Sequence, residues 1–149
     1  MPGKLIEQVK QVSMVSPVAR TSAVTLYNGV AATTISFLDT AGYGDLVLTL
    51  DVGTCGAASS VAVTVVESDA TDPSAATAIT GAAFTTISDA NALAIQKGYI
   101  KVKNAKQYVW LKTVQANTTS TIFGCVANLG EPKSAPVGNS AVFDIDLNT

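Results

Sequence analysis

Short runs that alternate from one side of the chain to the other constrain this sequence most. In "SVAVTVVES" (60–68), Val61, Val63 and Val65 fall on one side of an extended chain and Ala62, Thr64 and Val66 on the other. "DLVLTLDV" (45–52) sets Leu46, Leu48 and Leu50 against Val47 and Thr49, and "ATTISFLD" (32–39) sets Thr33, Ile35 and Phe37 against Thr34, Ser36 and Leu38. Side chains that alternate with a period of two belong to strands, and the β-branched content of these runs favours that reading over helix. Further short strands are expected at "AVTLY", "AAFTTI", "YIKVK", "QYVWLKTV" and "TSTIFGCVANLG", with a last one at "AVFDIDL". Turn signals separate them: Asn28–Gly29, "AGYG", the Asp- and Pro-bearing "DATDPSAAT", and Asn104–Ala105. "SDANALAIQKG" fits one helical turn capped by Ser88 or Asp89.

Eight to ten short strands with a turn every eight to twelve residues make the expected fold all-β, an antiparallel β-sandwich of jelly-roll type. No helical run is long enough to support a parallel sheet. At 149 residues the chain is one domain's length. Residues 1–20 read differently. Leu5, Val9 and Val12 sit at a helical spacing between Pro2 and Pro17, and the segment is read as an extended N-terminal arm leading into a sandwich over 21–149. On that reading, removing Met1–Ser16 leaves the domain folded.

Charge is scarce. Asp, Glu, Lys and Arg make up 13% of residues, about half the usual share, while 48% are hydrophobic, chiefly Ala and Val. Such a surface suits either hydroxylic sheet faces or a face that a partner covers. A net charge of −2 argues against a protein that coats nucleic acid. No run approaches the roughly 18–20 apolar residues that cross a bilayer, so neither nucleic acid nor membrane is expected as a partner. Lys4, Glu7 and Lys10 interrupt the N-terminus, which is therefore not read as a signal peptide.

Catalytic and metal chemistry find little support. The chain has no histidine, which removes Ser-His-Asp and Cys-His arrangements. Asp39, Asp45, Asp51 and Glu67 are conceivable paired carboxylates, but acids at strand ends ordinarily cap turns. Glu67, Asp69 and Asp72 supply oxygen ligands within six residues without the order of an EF-hand, and a solvated turn is the better reading. Lys101, Lys103, Lys106 and Lys112 lie near Tyr99, Tyr108 and Trp110; alternation with Ile100 and Val102 makes Lys101 and Lys103 one solvated strand face. Asn117–Thr119 matches a glycosylation acceptor and is read as a polar tip. Cys55 and Cys125 lie outside any CxxC motif and are expected free and buried. No enzyme, cofactor or metal is expected.

One long stretch carries a resemblance. "KGYIKVKNAKQYVWLKTVQANTTSTIFGCVANLGEPKSAPVG" resembles a small structural protein of tailed bacteriophages. A basic-aromatic strand (Lys106–Leu111) is followed by a polar turn (Asn117–Ser120), an Ala/Val strand ending in Leu-Gly (Cys125–Gly130) and a Pro-basic-x-Ala-Pro-Val tail (Pro132–Val137). With "GDLVLTLDVGT" and the strand after it, the resemblance covers roughly residues 40–138. The family's arginines are lysines or absent here, and the N-terminal segment matches less well. The resemblance implies a capsid decoration, or cement, protein: no active site, a homotrimer over local three-fold axes, the major capsid protein as partner, assembly in the host cytoplasm and residence on the virion surface. Two other readings stay open: a tail or head–tail junction protein, and a carbohydrate-binding β-sandwich. Within this stretch Val109, Leu111, Ile122 and Cys125 are expected in the core and Trp110 likewise, the tip 117–120 is expected to tolerate alanine, and Pro132–Val137 is expected at a subunit or capsid contact.

Overall fold

The computed structural model describes residues 9–31, 33, 36–116, 119–130 and, for the backbone, 141–146. Ten strands are assigned: β1 (Lys10–Arg20), β2 (Val24–Tyr27), β3 (Leu38–Asp39), β4 (Asp45–Cys55), β5 (Val61–Ser68), β6 (Thr77–Ala83), β7 (Ile95–Lys101), β8 (Tyr108–Gln115), β9 (Thr121–Gly130) and β10 (Ala141–Asp146). Two single-turn 3₁₀ segments interrupt them, η1 (Pro73–Ala75) and η2 (Asp89–Asn91). The helical turn expected near Ser88 is η2, closed by a capping box in which the Asn91 side chain accepts from the Ser88 N–H at 2.7 Å.

Sheet A has the order β1-β9-β4-β7-β10; sheet B has β2-β8-β5-β6, with β3 pairing on β8. Eight of the strands form one folded ribbon. β1 pairs with β9, β2 with β8, β4 with β7 and β5 with β6, so the ribbon doubles back between β5 and β6. Rolling it sets β9 beside β4 and β8 beside β5, all antiparallel. That is the jelly roll the strand pattern calls for. The exception to antiparallel pairing is β10, which lies parallel to β7.

The alternation read from the sequence decides what each sheet buries. Leu46, Leu48 and Leu50 point into the sandwich against Val61, Val63 and Val65, and all six are essentially inaccessible. Side chains of this size contribute about 1.5–3 kcal/mol each when fully buried.

Several expectations are corrected. Lys10–Arg20 is not an arm outside the sandwich but the edge strand β1, and its Met14 and Val15 are buried in the core; residues 1–8 lie outside the described residues. Two register shifts and Pro17 interrupt β1, as suits an edge strand. The strand expected over 32–39 is reduced among the described residues to Leu38–Asp39. The strand expected at "AAFTTI" lies earlier, at Thr77–Ala83, while Phe84 and Ile87 still reach the core. β7 and β8, and likewise β8 and β9, are consecutive but do not pair as hairpins, because each connection crosses from one sheet to the other.

Asn28–Gly29 behaves as the sequence suggests. Both residues have positive φ (50° and 79°), as a two-residue hairpin turn requires, and Tyr27 and Val30 bridge across it. The Asn28 side chain also accepts from the Leu111 N–H at 2.7 Å while its own N–H donates to the Leu111 carbonyl. Asn28 thus continues the edge of sheet B where β2 ends, and β3 rejoins β8 at Val109.

Candidate interaction surfaces

Of the carboxylates weighed for acid–base work, the two on β4 are held apart by the fold, and the other two each take a hydrogen bond from a neighbouring group. Asp45 and Asp51 lie six residues apart on β4, roughly 20 Å in an extended strand. Asp51 is exposed in mid-strand rather than at a strand end. Asp45 accepts the Tyr99 hydroxyl hydrogen bond. Asp39 accepts from the Ala41 N–H at 2.9 Å and faces the Gln107 amide. Glu67 accepts the Lys106 N–H at 3.0 Å. Of the proposed oxygen-ligand triplet, Asp72 caps η1 by accepting from the Ser74 N–H, which holds its carboxyl below the usual range. Among the described residues no group of three or more Cys, Asp or Glu converges as a metal site would require. No described helix is long and apolar enough to cross a membrane.

The lysines divide as the alternation implies. Ile100 and Val102 are buried, Lys103 is exposed and Lys101 is half-buried. Both cysteines are free. Cys125 is buried, and desolvation pushes its thiol up to about 12 against a smaller lowering by the Thr49 backbone. Cys55 is half-buried rather than buried, and desolvation raises its pKa, with a further push from Asp89.

On β8 and β9, Val109, Leu111 and Cys125 are in the core and Trp110 is fully buried. Ile122 is half-buried instead. The reason is parity: Thr121, Phe123 and Cys125 point inward from β9, so Ile122 points outward. Asn117, Thr118 and the tail Pro132–Val137 lie outside the described residues. Thr119 is not a free tip, since its hydroxyl shares a hydrogen bond with Ser59 at 3.2 Å and the Gln115 amide donates to its carbonyl at 3.2 Å.

Two outward faces remain as surfaces for contact. On sheet B, Tyr27, Lys112, Trp110 and Tyr108 share the outer side. The Lys112 ammonium lies 5.9 Å from the Tyr27 ring centroid, and Phe37 meets Tyr108 edge-on at 4.7 Å. Trp110 among them is 0% exposed, and its buried Nε1–H has no hydrogen-bond partner. Full burial leaves no indole face free to stack a ligand.

The outer face of sheet A is different. In cross-strand register, Gly124, Asp51 and Ile95 form one row. Pro17 lies over Gly124, where an added Cβ would meet it at 3.3 Å, and Ile122 lies across Gly53 in the same way at 3.2 Å. Leu93 follows η2, donates its N–H to the Gly53 carbonyl and holds a positive φ of 56°. Leu93 and Ile95 are 78% and 66% exposed, the largest exposures among the big hydrophobics of the described residues. This row is apolar apart from Asp51, and Gly124 adds no side chain to it. Sequence reasoning passed over it, yet the signal was present: Leu93 and Ile95 share the odd-numbered parity of Lys97, which marks the solvent face of β7.

No protein-family model matches the chain, and no curated protein matches it. A crystal structure of the infectious bursal disease virus VP2 subviral particle is similar with a TM-score of 0.47 and 12% identity, over 87% of this chain and 34% of that one. The chain thus spans about a third of that protein's length, and a likeness of this strength carries no weight for fold or role. What the strands themselves define is a class: an all-β, two-sheet jelly-roll domain.

Proposed function

We propose that the chain is a structural protein of a virion and, within that class, a capsid decoration protein. It binds the outside of a tailed-phage head, as a trimer, and stabilises contacts between capsomers of the major capsid protein. The observation that carries this reading is the pair of large apolar side chains, Leu93 and Ile95, left exposed beside the outer face of sheet A. It supports a role in which a surface is covered rather than a substrate turned over. A leucine held at positive φ costs of order 1–2 kcal/mol, which a contact made by the same side chain offsets. The jelly roll is an architecture used by capsid proteins and lectins alike, so the fold alone does not choose between them. The resemblance of residues 40–138 to tailed-phage structural proteins favours the capsid. A packaged genome presses the shell outward, and a protein bridging capsomers adds burial that expansion must break.

The test is a pair of charge insertions, Leu93→Asp with Ile95→Asp. Both sites are exposed, so the melting temperature should stay within a few degrees, since surface changes rarely exceed about 0.5 kcal/mol. Binding to heads lacking the protein should fall at least tenfold. Unchanged binding would remove this face from the contact.

A further inference from the structure

The eight-strand ribbon is complete without β10. Every pairing within it is antiparallel, and β10 is added afterwards, in parallel, on the free edge of β7. Its register runs from Ala141 opposite Lys97 to Asp146 opposite Lys101, with an irregularity between Ala141 and Phe143. β10 also lies against β6, the edge of the facing sheet. It therefore fills a slot along one side of the sandwich, between the last ribbon strand of sheet A and the last of sheet B. An empty slot would leave the β7 edge with a row of unpaired N–H and C=O groups, the condition that strand addition relieves.

Ten residues, 131–140, separate β9 from β10, and two of them are proline. Extended, ten residues reach roughly 35 Å, close to the roughly 40 Å breadth of a domain of this length. The connection is thus long enough to deliver β10 to its own β7 or to that of an adjoining copy. Either delivery makes the same backbone pairs, so neither is favoured by the contacts in the slot itself. Exchange of an identical element between copies is a low-cost route to assembly, and the second binding event is governed by local concentration.

We propose that the slot between β7 and β6 is a strand-exchange site whose partner is a second copy of this chain: in the assembled protein, β10 of one copy pairs in parallel with β7 of the next. This rests on the reading that the protein self-associates, and it goes beyond that reading by naming the joining element. It gives each copy one donor strand and one acceptor edge, a head-to-tail arrangement that closes into a ring when the rotation allows.

The experiment places cysteines on the register pair nearest the start of β10. Full-length Lys97→Cys/Ala141→Cys, carried on Cys55→Ser to remove the more accessible native thiol, is oxidised and run on a non-reducing denaturing gel. Opposed Cα atoms in a sheet lie within disulfide range. Light scattering of the unsubstituted protein gives the assembly state alongside. Covalent dimers and trimers from an oligomeric protein are the expected result. A single monomer band with an internal bridge from an oligomeric protein overturns the exchange while leaving self-association standing; the same band from a monomeric protein overturns both. Should the double variant fail to fold, the Lys97→Cys and Ala141→Cys single variants, unfolded together and refolded as a mixture, decide it. A mixed disulfide between the two different chains supports exchange, and its absence from a refolded oligomer refutes it.

Discussion

At the scale of the residue, parity and burial decide most outcomes. Val109 is fully enclosed between the sheets. Val109→Asp places an unpaired carboxylate there at a cost of several kcal/mol, and circular dichroism should show an unfolded chain. Thr119→Ala removes the hydroxyl bond to Ser59, so a loss of about 1 kcal/mol is expected in denaturant titration; a neutral result would show that the bond contributes nothing net. Arg20 is the chain's one arginine. It donates to the Val18 carbonyl at 3.0 Å and lies 4.7 Å from the Phe123 ring centroid. Arg20→Lys keeps the charge but loses the planar stack, and should melt below the parent. Cys125 makes stability depend on alkaline pH. The unfolded thiol ionises near 9.0 and the folded one near 12. The native state therefore keeps a proton that the unfolded chain releases. The contribution is whole below pH 9 and is lost as pH rises toward 12, by up to a few kcal/mol. Cys125→Ala should flatten that part of the stability–pH curve, and an unchanged slope would show that Cys125 does not set it.

At the scale of the element, what was legible depended on how many neighbours a strand has. β4 and β5 are central strands with a clean period of two, and the sequence placed both within a few residues. β1 was misread as an arm because an edge strand with Pro17 and two register shifts loses its alternation; Met14 and Val15 are buried in the core and Val12 packs partly against it. Removing Met1–Ser16 should consequently lower the melting temperature sharply rather than leave the sandwich intact, and a truncated protein that melts with the parent would return β1 to the status of an arm. The corners between sheets were invisible for another reason. The turns after β7 and β8 have the composition of hairpin loops, and no local residue records that the next strand pairs elsewhere. The exposed row at Leu93 and Ile95 was legible in principle. It required reading two apolar residues as outward because Lys97 is outward.

At the scale of the whole molecule, the jelly roll joins residues far apart in sequence, with β1 against β9 and β2 against β8. Contacts of such long sequence separation form slowly, so refolding on the millisecond-to-second scale is expected by stopped-flow fluorescence of Trp110. The same closure presents two broad sheet faces and one slot. Proposed trimers on a shell would use the faces for the shell and the slot for one another. The most direct measurement of this account is electron microscopy of heads lacking the protein, incubated with the purified chain. The account predicts saturable density on the outer surface at local three-fold positions, with sheet A turned toward the capsomers. Heads that stay bare, or density confined to a ring at the tail vertex, would contradict it.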